Sequence, residues 1–387
     1  MTTHTMLRGR RSACSLILTA GAALLAGLPG LAPAQPEAQA LQGLELRVTG
    51  GATLTPAFNP SVTRYSAQVQ SDIAAVTLAA QAPAGSVLKL SANGKPADAK
   101  TPLQVPLAVG SNQLELALQD ASGKALGQIQ IAIERENIQP VVDRFLKRSY
   151  ADASTGRTMP YRLFVPEGAG PNQRYPLVVF LHGGGERGDD NEKTLTANQG
   201  GTVWAKPDEQ ARRPAYVLVP QGRATWDGGF GRTRNADNKI DMARAFEPAD
   251  DLLTAQRLLR AVLDEHPGID RSRLYLTGLS QGGLGSWAWN ILEPELFAAT
   301  VPVCGGAAPT NVAVLKNKPL WAFHAAADPI VPADFTRQAV AALRSAGGQP
   351  RFTEYDAQTY FFPIAHFSWV PAYQNEEMRA WLFSQKR

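Results

Sequence analysis

Two hydrophobic patterns divide the chain. From about Leu44 to Glu136, apolar and polar residues alternate in short runs, which is typical of strands that bury one face. The alternation predicts strands at residues 64–69, 75–80, 87–92, 113–118 and 127–133. Turn residues lie between them, and Asn93-Gly94 favours a hairpin because both residues tolerate positive φ. Repeated short strands of this kind predict a β-sandwich.

Beyond a short linker near residues 137–140, the pattern changes to strands that alternate with helices. A 3.6-residue period between Leu252 and Leu263 predicts one helix, and others are predicted at residues 282–292 and 333–346. Such alternation is typical of a largely parallel sheet with helices on both faces. Apolar runs predict its strands at residues 161–165, 177–181, 216–219, 274–277, 300–303 and 320–323.

The N-terminal stretch predicts export. Three arginines, at positions 8, 10 and 11, precede an apolar run from Leu16 to Leu28, and the small residues Ala32-Pro33-Ala34 follow. This is the pattern of a secretory signal peptide spanning residues 1–34, and the protein would then be periplasmic or secreted. A membrane anchor is the alternative, but the run contains glycines and is shorter than the roughly 20 residues of a spanning helix. No membrane span is therefore expected after signal removal.

Composition and charge agree with folded domains and give no reason to expect a nucleic-acid partner. Hydrophobic residues make up 44% of the 387 and charged residues 19%. The net charge is +4, and removing residues 1–34 takes away three arginines and no acids, which leaves +1. Nucleic-acid binding would need clustered cations. Cys14 leaves with the signal, so Cys304 remains alone and no intramolecular disulfide can form.

Three motifs of the β-rich stretch are typical of one family. They are Thr53-Leu54-Thr55-Pro56-Ala57-Phe58-Asn59-Pro60, Thr63-Arg64-Tyr65 and Val109-Gly110-Ser111-Asn112. Through them the stretch resembles the cadherin-like β-sandwich family of bacterial envelope proteins. The resemblance spans nearly the whole domain and implies a fold but no chemistry.

A nucleophile motif lies at the end of the predicted strand 274–277. In Gly278-Leu279-Ser280-Gln281-Gly282, glycines stand two positions on either side of the serine. A nucleophile on a sharp strand-to-helix turn needs such small residues, because larger ones would collide with neighbouring backbone. The alternative is an ordinary serine in a glycine-rich turn, but a strand precedes this motif and a helix follows it. Ser280 is therefore the predicted nucleophile.

The base and the acid follow from chain order. A serine hydroxyl needs a base, and the usual order in this fold is Ser, then Asp or Glu, then His. His366 fits this order, whereas His182 and His266 do not, and His324 is a weaker alternative that precedes the acid. The predicted acid is Asp328, in the loop after strand 320–323. The alternatives for it are Asp334, Glu354 and Asp356, and Asp328 would then only cap the next helix.

Other residues are predicted to complete the site. The loop His182-Gly183-Gly184-Gly185 follows an apolar strand, as an oxyanion loop would, so Gly183, Gly184 and the amide of Gln281 are the predicted oxyanion donors. Glu186 and Arg187 are expected to brace this loop. Aromatic residues in predicted loops could line a substrate pocket or simply pack in the core. They are Trp204, Trp226, Phe230 and Trp369.

An ordered set of motifs runs through the second half of the chain. The motifs are 161–166, 182–188, 278–283, Pro302-Val303-Cys304-Gly305-Gly306 and His366-Phe367-Ser368-Trp369. Through them this half resembles a bacterial carboxylesterase group related to the phospholipase/carboxylesterase and prolyl-oligopeptidase-like hydrolases. The resemblance covers roughly residues 145–387 and implies an α/β-hydrolase fold with Ser280, Asp328 and His366 as a triad. Gln281 departs from the pattern, since Met is common there, and so does the segment 356–365.

The sequence therefore predicts a signal peptide at 1–34, a cadherin-like or immunoglobulin-like β-sandwich at 41–137 and an α/β-hydrolase domain at 141–387. The predicted activity is that of a serine carboxylesterase on small-molecule or polymeric esters, through an acyl-enzyme. A serine peptidase, a polyester depolymerase, a feruloyl or acetyl esterase and a non-enzymatic envelope binding protein are the alternatives, and a homo-oligomer stays open. No cluster has metal-ligand spacing and no phosphate or dinucleotide loop occurs, so no metal or cofactor is expected.

Overall fold

A computed structural model describes residue 41 and residues 43–97, 102–170, 172–357, 361 and 364–387. The predicted signal peptide, residues 1–34, lies outside the described residues. In the described part, no helix is long and apolar enough to cross a bilayer.

The N-terminal domain is a β-sandwich, as predicted. Alternate residues of its two longest strands, among them Leu116 and Ile131, are at most 1% exposed and form the core between the sheets. One sheet has the order β1-β3-β6 and the other β2-β8-β7-β4-β5. The strands are β1 (Glu45–Thr49), β2 (Arg64–Val69), β3 (Ala75–Gln81), β4 (Ser86–Ala92), β5 (Lys95–Ala97), β6 (Leu103–Pro106), β7 (Gly110–Asp120) and β8 (Ala125–Arg135).

The predicted hairpin turn at Asn93-Gly94 is confirmed. Asn93 has a φ of 50° and Gly94 a φ of 75°, and the pair joins β4 to β5. The sequence did not predict β1, β5 and β6 as strands. These have three to five residues each, too few for a clear alternation, and pairing with their neighbours defines them.

The C-terminal domain has the predicted mixture of strands and helices. Its strands are β9 (Leu146–Asp152), β10 (Arg157–Phe164), β11 (Tyr175–Leu181), β12 (Tyr216–Pro220), β13 (Gly231–Arg234), β14 (Ile240–Pro248), β15 (Ile269–Leu279), β16 (Ala299–Val303), β17 (Trp321–Ala325) and β18 (Arg351–Tyr355). Its helices are α1 (Gln139–Val142), α2 (Lys193–Thr196), α3 (Pro207–Arg212), α4 (Asp250–Glu265), α5 (Gln281–Leu292), α6 (Ala333–Ser345), α7 (Trp369–Gln374) and α8 (Glu376–Ser384).

The main sheet brings several loops to one edge. Its strand order is β9-β10-β12-β11-β15-β16-β17-β18, and the strands from β12 to β18 are parallel. Apolar clusters cover both faces of the central strands, which explains their continuous hydrophobic runs. The carboxyl ends of β11, β15 and β17 lie along the same edge, where open α/β sheets hold their ligands. Ser280 and the loops after β11 and β17 are located there.

A hairpin that the sequence did not reveal lies beside this edge. It consists of β13 and β14, which pair with each other and with no strand of the main sheet. Most residues of β14 are exposed, so the strand lacks the alternation that would have predicted it.

The two domains contact each other. Lys206, in the hydrolase domain, donates hydrogen bonds to Gln70 (2.8 Å) and Glu136 (2.9 Å) in the sandwich. Val370, four residues after His366, packs against the apolar cores of both domains. Helix α7, which begins three residues after His366, is therefore held from both sides.

Asp72, near Lys206 at the domain interface, should make the free energy of unfolding depend on pH. Burial raises the pKa of Asp72 to about 6, although its backbone N–H and Lys206 lower it in part. The folded protein therefore holds this proton more tightly than the unfolded chain does. The stability linked to Asp72 is complete below pH 3.8 and is lost as the pH rises through about 6.

We expect Asp72→Asn to stabilise the protein above pH 7 by up to about 3 kcal/mol, since one pKa unit corresponds to about 1.4 kcal/mol. Thermal unfolding at pH 8 should show a midpoint a few degrees higher than wild type, and the two midpoints should converge near pH 4. Asp237→Asn, at an exposed carboxyl, is the control and should change neither. An equal shift at both pH values would contradict the role of ionisation.

Candidate active site

Ser280 lies on a tight turn between β15 and α5. Its φ is 54°, a conformation that few residues other than glycine adopt. Its backbone N–H donates to the Val303 carbonyl (3.0 Å), and its own carbonyl accepts from Leu284 (2.9 Å). The turn is therefore fixed on both sides by the neighbouring strand and by the first turn of the helix.

The two glycines that flank Ser280 are needed because a side chain at either position would clash with backbone atoms. A Cβ atom on Gly282 would lie 2.0 Å from the carbonyl oxygen of Leu181, at the end of β11. A Cβ atom on Gly278 would lie 2.4 Å from the carbonyl oxygen of Gly282. Both distances are far below van der Waals contact, so only glycine lets the turn approach β11 this closely.

The structure brings together the three residues that the sequence predicted as nucleophile, base and acid. Nε2 of His366 lies 2.9 Å from Oγ of Ser280, and Nδ1 of His366 lies 2.7 Å from Oδ2 of Asp328. His366 is 6% exposed and belongs to a short 3₁₀ helix, Ala365–Phe367. The three side chains form one line of hydrogen bonds with Ser280 at its end.

Asp328 is held as a carboxylate. Burial by itself would raise its pKa, but hydrogen bonds from His324 and His366, and from the backbone N–H of Ile330, hold the pKa of Asp328 well below its usual range. Its Oδ1 accepts from Ile330 (2.8 Å) and Val331 (3.0 Å). The carboxylate is therefore charged and fixed in orientation.

His324 contacts Asp328, the predicted acid. Its Nε2 lies 3.2 Å from Oδ2 of Asp328, and its Nδ1 lies 2.7 Å from Oγ1 of Thr336. The ring is 0% exposed, and both of its nitrogens are engaged by these partners. His324 thus contacts Asp328 rather than Ser280, which does not fit the hypothesis that it is the base.

Asp334, Glu354 and His266, the competing candidates for acid and base, lie away from the nucleophile. Asp334 and Glu354 both form ion pairs with Arg337 on the surface. His266 follows α4 and its ring packs against Tyr216, with 5.9 Å between centroids. None of these three has a hydrogen bond to His366 or Ser280 in the described part of the chain.

The loop after β11 is fixed by a neutral histidine. Burial lowers the pKa of His182 to about 4. Its Nε2 accepts from the backbone N–H of Gly222 (2.9 Å), so Nδ1 carries the proton and donates to the Gly183 carbonyl (2.6 Å). In a trans peptide the carbonyl and the following N–H point in opposite directions. The N–H of Gly184 therefore points away from His182.

Glu186 and Arg187 flank the same loop, as expected. Arg187 donates from Nε to the Gly184 carbonyl (3.0 Å) and from Nη1 to the Thr225 carbonyl (2.6 Å). Burial raises the pKa of Glu186, while its own N–H and that of Gly183 lower it to a smaller extent. The carboxyl group of Glu186 lies beside Gly183, where a Cβ atom would be 3.0 Å from its Oε2.

The side chain of Gln281 has a role that the sequence did not reveal. Its Nε2 donates to the Gly231 carbonyl (2.8 Å), to Oγ1 of Thr233 (3.0 Å) and to the Gly228 carbonyl (3.2 Å). The more common Met has no donor for these acceptors. The side chain of Gln281, at the position where Met is common, therefore binds the start of the β13–β14 hairpin.

The predicted aromatic pocket needs correction. Trp204 is 0% exposed, and its Nε1 donates to the Gly200 carbonyl (2.8 Å). Phe230 is also fully buried, against the ring of His182. The predicted substrate contact of Trp204 is therefore wrong: both side chains form part of the core. Trp369 lies edge-on to His366 at 5.3 Å between centroids, and Trp226 is exposed on the loop that Arg187 braces.

Cys304 adds a sulfur atom to the site. Its Sγ accepts from the backbone N–H of Ser280 at 3.2 Å. Ligand atoms of Cys304, Asp328 and His366 lie within 4.8 Å of one another, a spacing that a metal ion could bridge. Burial, and to a lesser extent Asp328, raise the pKa of the thiol, however, and metals bind the thiolate. The protonated thiol makes these residues a poor ligand set.

Comparison with family models identifies both domains. A model described as "Cadherin-like beta sandwich domain" matches residues 44–136. A second model, described as "Putative esterase", matches residues 153–357, more than half of the chain. The matched range includes Ser280 and Asp328 and ends before His366.

Individual proteins named as an esterase or a depolymerase are also similar to this chain. "Putative esterase NocK" of Nocardia uniformis subsp. tsuyamanensis is 28% identical over 225 residues, 54% of this chain and 60% of NocK. "Poly(3-hydroxyalkanoate) depolymerase C" of Paucimonas lemoignei is 28% identical over 148 residues, 37% of this chain and 30% of that enzyme. This chain thus spans less than two thirds of either relative. A solved thermostable esterase is 30% identical with a TM-score of 0.59, and the alignment covers 81% of this chain and 96% of that one.

Proposed function

Since the chain belongs to the esterase family whose model matches residues 153–357, we propose that it is a serine carboxylesterase with Ser280, Asp328 and His366 as its catalytic triad. The observation that carries this proposal is the unbroken line of hydrogen bonds from Asp328 through His366 to Ser280. It ends on a serine at a strained turn, at the carboxyl edge of the sheet.

The proposed reaction has two halves. His366 takes the hydroxyl proton as the oxygen of Ser280 forms a bond to the ester carbonyl carbon, and Asp328 stabilises the resulting imidazolium. The carbonyl π electrons move to oxygen, and return as the ester C–O bond breaks. The leaving alcohol takes the proton from His366. Water then attacks the acyl-enzyme by the same route and releases the acid.

The backbone N–H groups of Gly184 and Gln281 are the proposed donors to the oxyanion. Gln281 is the first residue of α5, where backbone N–H groups have no acceptor within the helix. His182 holds the carbonyl of the peptide that carries the Gly184 N–H, and Arg187 holds the carbonyl of the next peptide. Two N–H donors fixed in this way stabilise charge that develops during the reaction without having to reorganise.

Hydrolysis of a 4-nitrophenyl ester series, compared with aminoacyl 4-nitroanilides, tests the reaction class. We expect turnover of the esters and little or none of the anilides. The resemblance to a poly(3-hydroxyalkanoate) depolymerase adds a suspension of that polyester as a third substrate. A fluorophosphonate that blocks turnover should add one label per chain, on the peptide that contains Ser280. Turnover of anilides alone would instead indicate a peptidase, and a label on another residue would contradict the triad.

A further inference from the structure

An arginine that no acid neutralises lies beside the proposed oxyanion loop. Arg234 is the last residue of β13, in the hairpin that Gln281 anchors. A Cβ atom on Gly184 would lie 3.9 Å from Nη2 of Arg234 and 4.0 Å from Oε1 of Gln281. The space over Gly184 is therefore bordered by a guanidinium group.

Nearby arginines differ in whether they are paired. Nε of Arg223 lies 2.7 Å from Oδ1 of Asp251. Nη2 of Arg232 lies 3.4 Å from Oδ1 of Asp250. Neither Arg187 nor Arg234 forms an ion pair with a carboxylate in the described ranges. Two cations without a carboxylate partner thus lie next to the candidate active site, and such a site attracts anions.

The two unpaired guanidinium groups are held close together by Asn238. Nη2 of Arg187 donates to Oδ1 of Asn238 (3.3 Å), and Nη1 of Arg234 donates to its backbone carbonyl (2.6 Å). Burial and the nearby charge of Arg234 lower the pKa of Arg187 to about 10, and Asp251 compensates only in part. The two guanidinium groups therefore repel each other, and a bound anion would relieve that repulsion.

The two arginines have different tasks. Arg187 is 7% exposed and uses its three nitrogen groups on Gly184, Thr225 and Asn238. Arg234 is less buried, and the structure gives it one hydrogen bond, from Nη1. Arg187 therefore holds the loops, while Nη2 of Arg234 is placed to contact a molecule over Gly184.

Acidic groups close to the site do not cancel this charge. Glu186 faces Gly183, and burial raises its pKa towards the neutral form. Asp328 is already satisfied by two histidines and two backbone N–H groups. Neither of these two carboxyl groups therefore pairs with Arg234.

We propose that the ester substrate carries an anionic group, in the simplest case a carboxylate, which binds Arg234 beside the oxyanion loop. This inference rests on the proposed esterase function and adds the substrate class. A carboxylate a few bonds from the ester carbonyl would reach Nη2 while the carbonyl oxygen occupies the oxyanion site. The charge-assisted hydrogen bond would orient the substrate and favour anionic over neutral esters.

Two matched pairs of esters test this inference. Mono-4-nitrophenyl adipate and 4-nitrophenyl hexanoate differ by a carboxylate in the acyl part. The ester 4-acetoxybenzoate and its methyl ester differ by one in the alcohol part. In each pair the ratio of kcat/KM for the anionic over the neutral ester is measured within one variant, so a change in fold or in chemistry cancels. The variants are wild type, Arg234→Gln, Arg234→Lys and Arg244→Gln.

We expect the ratio in at least one pair to fall roughly tenfold in Arg234→Gln and to be partly restored in Arg234→Lys. Arg244→Gln is the matched control, because Arg244 lies on the same hairpin and is neutralised by Glu247. An unchanged ratio in Arg234→Gln, or an equal fall in Arg244→Gln, overturns the inference while ester hydrolysis stands. Turnover of no ester by wild type would overturn the proposed function and this inference with it.

Discussion

Replacing Ser280 with alanine is expected to lower kcat for ester hydrolysis by about 10⁵-fold, with the fold retained. Removing the nucleophile of a serine hydrolase leaves only the contribution of binding and of the oxyanion donors. Ser280 has a φ of 54°, and alanine carries the same Cβ, so the strain of the turn does not change. The variant loses one hydrogen bond, to His366. Initial rates with a 4-nitrophenyl ester and a thermal unfolding curve measure both quantities.

Ser345→Ala is the matched control for Ser280→Ala. Ser345 is the exposed last residue of α6, and its substitution should change neither kcat nor the unfolding midpoint. If Ser280→Ala kept turnover within tenfold of wild type, another residue would be the nucleophile. If its unfolding midpoint fell by more than a few degrees, the loss of activity could not be assigned to chemistry. In that case the stoichiometric label on Ser280 decides the assignment.

Asp328→Asn is expected to lower kcat about 10⁴-fold, the effect seen when a triad acid becomes an amide. The amide can donate to the histidine, which then presents its proton to Ser280 and cannot act as a base. Two further effects add to this loss. The imidazolium is no longer stabilised by a carboxylate, and the amide NH2 group faces both His324 and His366 while the amide oxygen accepts from Ile330 and Val331. The measurement is kcat/KM against pH, with circular dichroism to check folding.

The controls for Asp328→Asn are two acids that the sequence also allowed as triad members. Asp334→Asn and Glu354→Gln each remove a surface ion pair with Arg337, and such pairs contribute little. Activity of both should stay within about twofold of wild type. A loss in either of them that matches Asp328→Asn would move the role of the acid to that residue. If Asp328→Asn kept the wild-type rate, His366 would not need Asp328 for catalysis, and the assignment of Asp328 as the triad acid would be wrong.

The structure explains why Asp328, the proposed acid, has two histidines around it. His324, on β17, and His366, after β18, approach Oδ2 of Asp328. The backbone N–H groups of Ile330 and Val331 bind Oδ1. A buried carboxylate without such partners would be strongly destabilising, so this arrangement allows Asp328 to be both charged and buried.

Local signals in the sequence determined much of the fold and the candidate residues. Period-two alternation predicted the main sandwich strands, Asn93-Gly94 predicted the β4–β5 hairpin, and long apolar runs predicted the central parallel strands. The spacing of glycines around Ser280 marked the turn. These signals work because they reflect interactions between residues close together in the chain, or the burial of one whole element. Export through residues 1–34 stays a prediction.

Tertiary structure alone decided the remaining features, which depend on residues distant in sequence. Trp204 belongs to the hydrophobic core and does not line a substrate pocket, because residues from distant parts of the chain pack around it. The β13–β14 hairpin, largely polar, is anchored by Gln281 some 50 positions later, and the guanidinium group of Arg234 on that hairpin borders the space over Gly184. His324, on β17, contacts Asp328 in the loop that follows rather than Ser280. A side chain's identity limits what it can bind, but which distant group it meets is settled only when the strands take their order in the sheet.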